Sequence, residues 1–444
     1  MSAAYYLSKA GVPATLFEKN QHLGGVITTS QVEGCLIEGG PDSFLAAKPA
    51  ALELIKELGL QDEVIGSNDH LRVTYIVRNG RLVPMPDGLM MMVPTKIWPI
   101  ALSPLIGWGT KIRMGLEIFR KPSPQPERSV AAMIRDHYGQ EAVDYLAEPM
   151  LSGVYGGDPE LLSADAVLEQ FVALETKYGS LTKGVLARRA AALAAPSASA
   201  PGTSLFRTLK GGLAQLVEAI EMSIAGMVEV RREEVTSIRQ DGGGFLLRTS
   251  SGGEYPAGGV IVCTPAWQAA ELLKELNPTA SEGLSTIAYN SSVTVGMIYD
   301  RAALPQLPGG FGFLVPAKER RTMAACTFVG TKFQHRVPEG KVLLRCFAGG
   351  TGINMPDEEL IANLRAELRN WLMIEVKPSA VTISRWPRAM AQYTIGHKAR
   401  VGAIMNAVKN NPGLELAGNA YEGIGIPDCI RMGKAAAARI AQSY

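Results

Sequence analysis

The stretch LELAGNAYEGIGIPDCIRMGKAAAARIA, residues 414–441, decides the fold that we expect for the rest of the chain. It begins with a short apolar strand over residues 414–417, continues through a turn rich in glycine and asparagine, and ends in an alanine-rich helix that begins at Ile426. Pro427 suits the first turn of a helix, because its missing N–H would have no partner there. The helix N-terminus would then face a ligand seated in the turn, although such a unit can also serve packing alone.

Length, composition and charge favour a globular enzyme and exclude several other classes. The 444 residues suffice for roughly two or three substructures with sizeable cores, and 47% of them are hydrophobic against 19% charged. A net charge of +2 gives no reason to expect nucleic acid as a partner. The five cysteines are odd in number and lack CxxC spacing, so we expect reduced thiols and no metal site. No signal-peptide pattern is present at the N-terminus, and the expected location is the cytoplasm.

The first residues have the pattern of the second half of a dinucleotide-binding unit. Residues 1–10 predict a helix that stops at Gly11, and residues 14–18 predict a buried strand that ends in an acid, Glu18. In a dinucleotide fold, a strand and a glycine-rich loop precede such a helix, and the acid binds the ribose of the adenosine. We expect that this first strand and its loop are missing from the sequence, which would leave neighbouring strands without partners. A solvated strand end is the simpler interpretation of Glu18.

Motifs in a fixed order extend this pattern over the chain. They are FEKNQHLGG from residue 17, IEGGPDSFL from residue 37, EPMLSGVYGGDPELLS from residue 148, SRWPRAMAQYTIGHKAR from residue 384 and GNAYEGIGIPDCIRMGKAA from residue 418. In order and spacing they resemble the flavin-dependent porphyrinogen oxidases, and within that family the soluble bacterial type. The chain departs from the family at its start, because family members begin with a strand and a glycine-rich loop.

The resemblance implies an α/β fold of amine-oxidase-like architecture. A Rossmann-like FAD-binding domain would combine with an α+β substrate domain and a small helical subdomain. The expected segments are residues 1–70, 205–275 and 384–444 for the FAD-binding domain, residues 71–86 and 276–383 for the substrate domain, and residues 87–204 for the helical subdomain. Residues 187–204 have low complexity, and this composition predicts a surface loop.

The resemblance also implies which residues bind the cofactor and the substrate. The expected FAD-binding residues are Glu18, Lys19, Gly24, Gly25, Gly40, Pro41, Asp42, Ser43, Val235, Trp386, Gly418, Asn419, Ile424, Gly425 and Ile426. Arg72 is expected to bind a substrate carboxylate and Gly153 to let a planar ring approach closely. The alternatives are a solvated arginine and a helix-capping glycine. No catalytic side chain is predicted, and His397 is expected to be structural.

The implied activity is the oxygen-dependent oxidation of coproporphyrinogen III, protoporphyrinogen IX or both in haem biosynthesis. The oxidation removes six electrons and a flavin accepts two, so three cycles would each release hydrogen peroxide. The expected partners are the porphyrinogen, molecular oxygen, and ferrochelatase or a similar next enzyme of the pathway. The alternatives are a flavin amine oxidase, a carotenoid-desaturase-like oxidoreductase, and a porphyrin-binding protein without FAD.

Residues 89–119 form an apolar, methionine-rich segment with two interpretations. Its prolines, among them Pro94, Pro99 and Pro104, argue against a helix that spans a bilayer. One interpretation is a helical cover over a hydrophobic tunnel. The other is a surface that rests on a membrane. The sequence leaves contact with a membrane open.

Overall fold

The computed structural model describes residues 1–123, 125–194 and 204–443, which form a mixed α/β structure. The helices are α1 (Ser2–Lys9), α2 (Ala50–Glu57), α3 (Ile97–Leu102), α4 (Trp108–Leu116), α5 (Val130–Tyr138), α6 (Gln140–Ala142), α7 (Glu148–Tyr155), α8 (Ala164–Val167), α9 (Glu169–Tyr178), α10 (Leu181–Ala194), α11 (Ala214–Ile224), α12 (Ala266–Leu273), α13 (Pro278–Ser285), α14 (Val329–Lys332), α15 (Asp357–Leu372), α16 (His397–Val408) and α17 (Ile426–Ala441).

The strands are β1 (Ala14–Phe17), β2 (Thr29–Val32), β3 (Cys35–Glu38), β4 (Phe44–Leu45), β5 (Val64–Gly66), β6 (Thr74–Arg78), β7 (Arg81–Pro84), β8 (Leu89–Met90), β9 (Val93–Pro94), β10 (Phe206–Leu209), β11 (Val228–Arg231), β12 (Val235–Asp241), β13 (Gly244–Thr249), β14 (Glu254–Ala257), β15 (Val260–Val262), β16 (Tyr289–Asp300), β17 (Gly312–Leu314), β18 (Met323–Phe328), β19 (Lys341–Ala348), β20 (Ala380–Ala391) and β21 (Leu414–Leu416).

Two parallel strand pairs and the helices beside them bring the ends of the chain together. Strand β1 pairs with β11, and β15 pairs with β21. Helix α17 packs against α1, and the contact is close, since a Cβ added to Gly433 would lie 2.4 Å from Oγ of Ser2. A small residue is therefore needed where the first and last helices cross. Ile430 of α17 joins a core that contains Ala4 and Leu216.

The largest sheet has seven strands in the order β20-β16-β19-β18-β17-β6-β7. Leu360, Leu364 and Leu368 of α15 belong to the core that the inner strands of this sheet form. The β6–β7 hairpin turns at Asn79 and Gly80, whose φ angles of 50° and 71° suit a tight two-residue turn. The hairpin predicted from the Asn-Gly pair is therefore present. Strand β20 continues to residue 391, beyond the boundary expected at residue 384, because it pairs with β16 along its length.

The segment between β9 and β10 is largely helical and has a core of its own, which includes Met133, Leu146 and Phe171. The loop predicted for residues 187–204 was wrong over residues 187–194, where α10 continues. Alanine and arginine have high helix propensity, and this outweighed the low complexity of the segment. Residues 195–203 lie outside the described residues. No described helix combines the length and hydropathy needed to cross a bilayer.

A buried ion cluster holds these helices together. The Nδ1 atom of His137 lies 2.7 Å from Oε1 of Glu117, and its Nε2 atom lies 2.9 Å from Oε1 of Glu175. Ionised carboxylates only accept hydrogen bonds, so both ring nitrogens donate and the ring is positively charged. Burial opposes this charge, but the two carboxylates outweigh burial and raise the pKa of His137.

Asp136, His137 and Glu175 also place possible metal-ligand atoms within 4.8 Å of one another. Arg128 is already bound there, with Nη1 3.1 Å from Oδ2 of Asp136 and Nη2 on Oε1 of Glu175. A guanidinium therefore occupies the carboxylate oxygens that a cation would need. We interpret the group as an ion-pair network that fixes the helical core.

We expect the stabilisation from His137 to fade as pH rises. A raised folded-state pKa means that the contribution is complete below the unfolded value of about 6.5 and is lost as pH rises through the folded value. The unfolding free energy of the wild-type chain should exceed that of His137→Gln by about 2 kcal/mol near pH 6, and by less at higher pH. Urea unfolding between pH 6 and 9 measures this difference, with His70→Gln as the exposed control. A difference independent of pH would contradict the charged state of His137.

Candidate functional site

The turn between β21 and α17 has a backbone conformation that favours glycine at two positions. Gly418 and Gly423 have φ angles of 146° and 118°, which side chains disfavour. A Cβ added to Gly423 would lie 2.4 Å from Cγ of Asp428. The Asp428 carboxylate accepts the N–H of Gly425 at 3.3 Å and caps the first turn of α17. The positive end of this 16-residue helix therefore lies directly behind the glycine turn.

Side chains from two other segments fix this turn. The hydroxyl of Tyr393 accepts the N–H of Gly423 at 2.8 Å and donates to the carbonyl of Asn419 at 2.9 Å. Burial raises the pKa of Tyr393 far above its usual value, so the hydroxyl keeps its proton. Lys48 forms an ion pair with Asp428, with 2.5 Å between Nζ and Oδ2. Tyr393 belongs to a motif noted in the sequence. Its role in the turn, however, becomes apparent only from the contacts of the folded chain.

The loop over residues 38–43 is the second part of the site. A Cβ added to Gly40 would lie 1.8 Å from the carbonyl oxygen of Val26, so backbone must pass there without a side chain. The indole N–H of Trp386 donates to the carbonyl of Gly39 at 2.7 Å. Asp42 is paired with Lys332, whose Nζ lies 2.8 Å from Oδ2. Burial opposes ionisation of Asp42, but the cations beside it hold the pKa of that carboxyl well below its usual range.

A third group lies at the carboxyl end of β1. The Oε1 atom of Glu18 accepts the backbone N–H of Asn20 at 2.9 Å. Lys19 reaches across to Glu234 at 3.4 Å, which places it beside Val235 at the start of β12. Gly24 has a φ of 94°, and a Cβ added there would lie 2.6 Å from Cγ2 of Val217.

These contacts sort the predicted cofactor residues into two sets. In one set, Trp386 of β20 contacts the loop over residues 38–43. The same strand contacts the turn over residues 418–425, because Nδ2 of Asn419 donates to the carbonyl of Ala389 at 2.9 Å. The other set gathers Glu18, Lys19 and Val235 at the end of β1. The turn over residues 418–425 follows β21 and the second set follows β1, and both strands belong to parallel pairs. The carboxyl ends of parallel strands are the position at which α/β sheets bind ligands.

The two predicted substrate residues border the same pair of strands. Arg72 is exposed just before β6, and Val73 beside it accepts the N–H of Phe311 at 2.8 Å. Gly153 lies inside α7, whose C-cap is Gly156, so the capping alternative does not apply to Gly153. A Cβ added to Gly153 would lie 3.6 Å from Leu314 of β17, the partner of Ile76 in β6. Ile76 is four residues from Arg72, which corresponds to about 13 Å of extended chain.

His397 is buried and its Nε2 atom lies 3.0 Å from the carbonyl of Tyr421. Burial lowers the pKa of His397, and its ring stacks on Tyr393 at 3.8 Å. These contacts make His397 part of the support for Tyr393. This is the structural role expected from the sequence.

The arrangement fits a flat, polar cofactor. Glycines stand where the backbone must come close, and the hydroxyl of Thr264, at the carboxyl end of β15, is buried without a protein partner among the described residues. Gly418 lies beside it, since a Cβ added there would be 3.8 Å from the carbonyl oxygen of Cys263. A buried hydroxyl with no partner is costly, and a ligand that accepts or donates a hydrogen bond there would remove the cost.

The parallel strand pairs, the glycine turn before α17 and the adjoining seven-stranded sheet define a dinucleotide-binding oxidoreductase. A family model described as flavin containing amine oxidoreductase matches residues 1–441. The chain belongs to this family, which confirms FAD as the cofactor and the expected amine-oxidase-like fold.

Individual relatives match over almost the whole chain. The coproporphyrinogen III oxidase of Bacillus subtilis is 33% identical, with 98% of this chain and 94% of that protein covered. The coproporphyrinogen III oxidase of Propionibacterium freudenreichii is 32% identical, with 97% and 86% covered. A crystal structure from Exiguobacterium sp. 255-15 has a TM-score of 0.87 at 29% identity, with 100% of this chain and 96% of that chain covered. Cyclohexylamine oxidase from Brevibacterium oxydans has a TM-score of 0.69 at 16% identity, with 100% and 96% covered, and shares the fold.

We expect Tyr393→Phe to weaken flavin binding about tenfold. The variant removes the hydroxyl that holds both Gly423 and Asn419, and the loss of one to two hydrogen bonds corresponds to about 1–2 kcal/mol. Titration of the protein with FAD, followed by flavin fluorescence, measures the dissociation constant. Tyr299→Phe, which removes a buried hydroxyl in the seven-stranded sheet, is the control. Equal affinities of wild type and Tyr393→Phe would show that the turn does not hold the flavin.

Proposed function

We propose that this protein is an oxygen-dependent FAD oxidase of porphyrinogens, with coproporphyrinogen III, protoporphyrinogen IX or both as substrate. The main support is that the chain aligns over 98% of its length with a relative named coproporphyrinogen III oxidase. More distant plant relatives, at 28% identity for Arabidopsis thaliana, are named protoporphyrinogen oxidase. The product would pass to ferrochelatase or a similar enzyme in the cytoplasm. The low identity of 16% to cyclohexylamine oxidase gives no support for an amine substrate.

The residues of the chain have separate tasks in this reaction. FAD bound here would supply the acceptor for two electrons, so one porphyrinogen needs three rounds. The glycine loops over residues 38–43 and 418–425 hold the ring system, and the N-terminus of α17 favours the negative charge that arrives with the electrons. The neutral hydroxyl of Tyr393 keeps the turn in place without exchanging a proton in the neutral pH range.

Arg72 would orient the substrate through a carboxylate. Its guanidinium is exposed, and the planar fork of N–H groups matches a carboxylate with two hydrogen bonds. Gly153, which lies inside α7 beside Leu314 of β17, would let the face of the macrocycle pass over α7 without a side chain in the way. A pocket that meets more carboxylates would favour coproporphyrinogen over protoporphyrinogen. Arg72 and Gly153 would therefore influence which of the two porphyrinogens is the better substrate.

We expect aerobic turnover of at least one porphyrinogen and a selective effect of Arg72→Met. Loss of a bidentate carboxylate contact used in binding should raise KM about tenfold with little change in kcat. Porphyrin fluorescence and hydrogen peroxide release, with coproporphyrinogen, protoporphyrinogen and putrescine offered in parallel, give these values. Arg81→Met, at another exposed arginine of the same hairpin, is the control. Absence of porphyrin from both porphyrinogens would refute the proposed activity, and oxidation of putrescine would favour an amine oxidase.

We further infer that part of the helical segment rests on an anionic lipid surface. The helical apolar surface, as we call it, consists of side chains that are 60–82% exposed on α3, on α4 and just after α4: Ile97, Trp98, Leu102, Trp108, Ile112, Leu116 and Phe119. Those on α4 recur every four residues, which puts them on one face of that helix. Exposed apolar groups in such number are unusual for a free soluble surface.

The charges around the helical apolar surface favour lipid over a second protein. Lys111, Arg113 and Lys121 flank it, while Lys96 is paired with Asp87 and Glu117 is buried in the ion cluster with His137. The Nζ atom of Lys111 lies 4.6 Å from the ring of Trp108, an aromatic and cationic pairing that suits the headgroup region. Both helices are too short to span a bilayer and would lie in its surface.

We expect the chain to sediment with vesicles that contain phosphatidylglycerol and much less with pure phosphatidylcholine. The double variant Trp98→Ser, Trp108→Ser should weaken binding more than tenfold, because two exposed aromatic groups that enter the lipid on binding are lost. The control, Met222→Ser with Met373→Ser, removes two exposed methionines from other surfaces. Unchanged binding by the tryptophan variant would exclude this surface. If the wild-type protein is a dimer and the tryptophan variant is a monomer, the lipid proposal would also be excluded. That result would show that a second copy of the chain covers the helical apolar surface.

A further inference from the structure

The loop over residues 38–43 is held from behind by side chains of the seven-stranded sheet. Arg345 of β19 donates from Nε to the carbonyl of Glu38 at 3.0 Å and from Nη2 to the carbonyl of Gly40. Trp386 of β20 donates a hydrogen bond to the carbonyl between them, that of Gly39. The two groups of a trans peptide point in opposite directions, so the N–H of Gly40 is directed away from Trp386. Arg345 and Trp386 thus decide how the loop presents its backbone.

The same place contains more positive than negative charge. Three cations, Lys332, Arg336 and Arg345, lie with two carboxylates, Glu38 and Asp42, which leaves one positive charge in excess. The pairing is uneven. The Arg336 Nη1 atom lies 2.7 Å from Oε1 of Glu38, and the Lys332 Nζ atom lies 2.8 Å from Oδ2 of Asp42.

Among the described residues, Arg345 has no close carboxylate of its own. Its Nη1 atom is 3.5 Å from Oδ2 of Asp42, which Lys332 already binds, and its other hydrogen bonds end on carbonyls. It is only 3% exposed, so water does little to screen its charge. Burial lowers the pKa of Arg345 although Asp42 and Glu38 oppose this, which agrees with a charge that is incompletely paired. Such a charge acts over a longer range than one on the surface.

We propose that Arg345 is a positioning residue of the FAD site, which fixes the loop over residues 38–43 and places an incompletely paired positive charge behind it. A flavin held by this loop would gain negative charge with a hydride, and the positive charge of Arg345 would favour that reduced state. This inference rests on the assignment of the loop to the FAD site. It requires no change in the identity of the substrate.

The test separates the charge of Arg345 from its hydrogen bonds. Arg345→Met removes both, whereas Arg345→Lys keeps the charge and loses the planar guanidinium that donates to two carbonyls at once. Lys332→Met removes a charge beside Asp42 and leaves the two carbonyl bonds in place. Arg385→Met is the matched control, because Arg385 also binds two carbonyls, those of Ile353 and Met355, and one aspartate, but at the start of α15.

The readouts are the FAD dissociation constant and the ratio of oxidised to reduced flavin at equilibrium with a reference dye. In Arg345→Met the ratio should shift at least tenfold towards oxidised flavin, which is about 30 mV for two electrons. Lys332→Met should shift the ratio in the same direction, and Arg345→Lys by less than threefold. Both Arg345 variants should bind FAD more weakly than wild type, and Arg385→Met should change neither quantity.

Neither measurement uses a porphyrinogen, so this proposal and the proposed substrate fail separately. Unchanged affinity and ratio in a folded Arg345→Met protein would overturn the positioning role. Thermal unfolding without FAD shows whether Arg345→Met folds. If it does not, the proposal is tested by the FAD affinity of Arg345→Lys and by the ratio of oxidised to reduced flavin in Lys332→Met. Wild-type values in those two proteins would overturn the proposal as well.

Discussion

The buried ion pair between Glu38 and Arg336 joins the glycine loop over residues 38–43 to the segment before β19, and the site depends on it. Glu38 ends the strand before the glycine loop, and Arg336 belongs to the segment between α14 and β19. Both side chains are at most 4% exposed, and Glu38 also receives hydrogen bonds from Thr29 and from the backbone of Leu213. Removing one partner of such a pair leaves an uncompensated charge, at a cost of about 3–5 kcal/mol. The position of the glycine loop therefore depends on its contact with the segment before β19.

The fold by itself does not select a substrate. Amine oxidases share it at 15–16% identity, which indicates that the elements around the flavin tolerate very different chemistry. In the proposed function, three features beside the seven-stranded sheet serve the substrate and the lipid surface: an exposed arginine before β6, a glycine inside α7 and the helical apolar surface. These features lie on separate elements from the glycine loops assigned to the cofactor.

Local patterns predicted the elements that carry the site, and distant contacts escaped prediction. The glycine turn, the N-terminus of α17 and the Asn-Gly hairpin each follow from residues close in sequence, so the sequence was sufficient to place them. The partners of the loop over residues 38–43 could not be found in this way, because Lys332 and Arg345 lie roughly 300 residues away and are ordinary cations in their own strands and helices. The role of Tyr393 likewise appears only when β20 is placed beside the final turn. Composition misled at α10, where helix propensity decided the structure.

The order in which the chain is synthesised gives the clamp on the glycine loop a further meaning. The loop leaves the ribosome early, whereas Arg345, Trp386 and the final turn emerge near the end of translation. Until then its carbonyls lack their donors and the acids beside it lack their cations, so a nascent chain cannot hold the loop as the folded protein does. The clamped conformation of the loop is therefore reached only in a chain whose translation has come to the last helix.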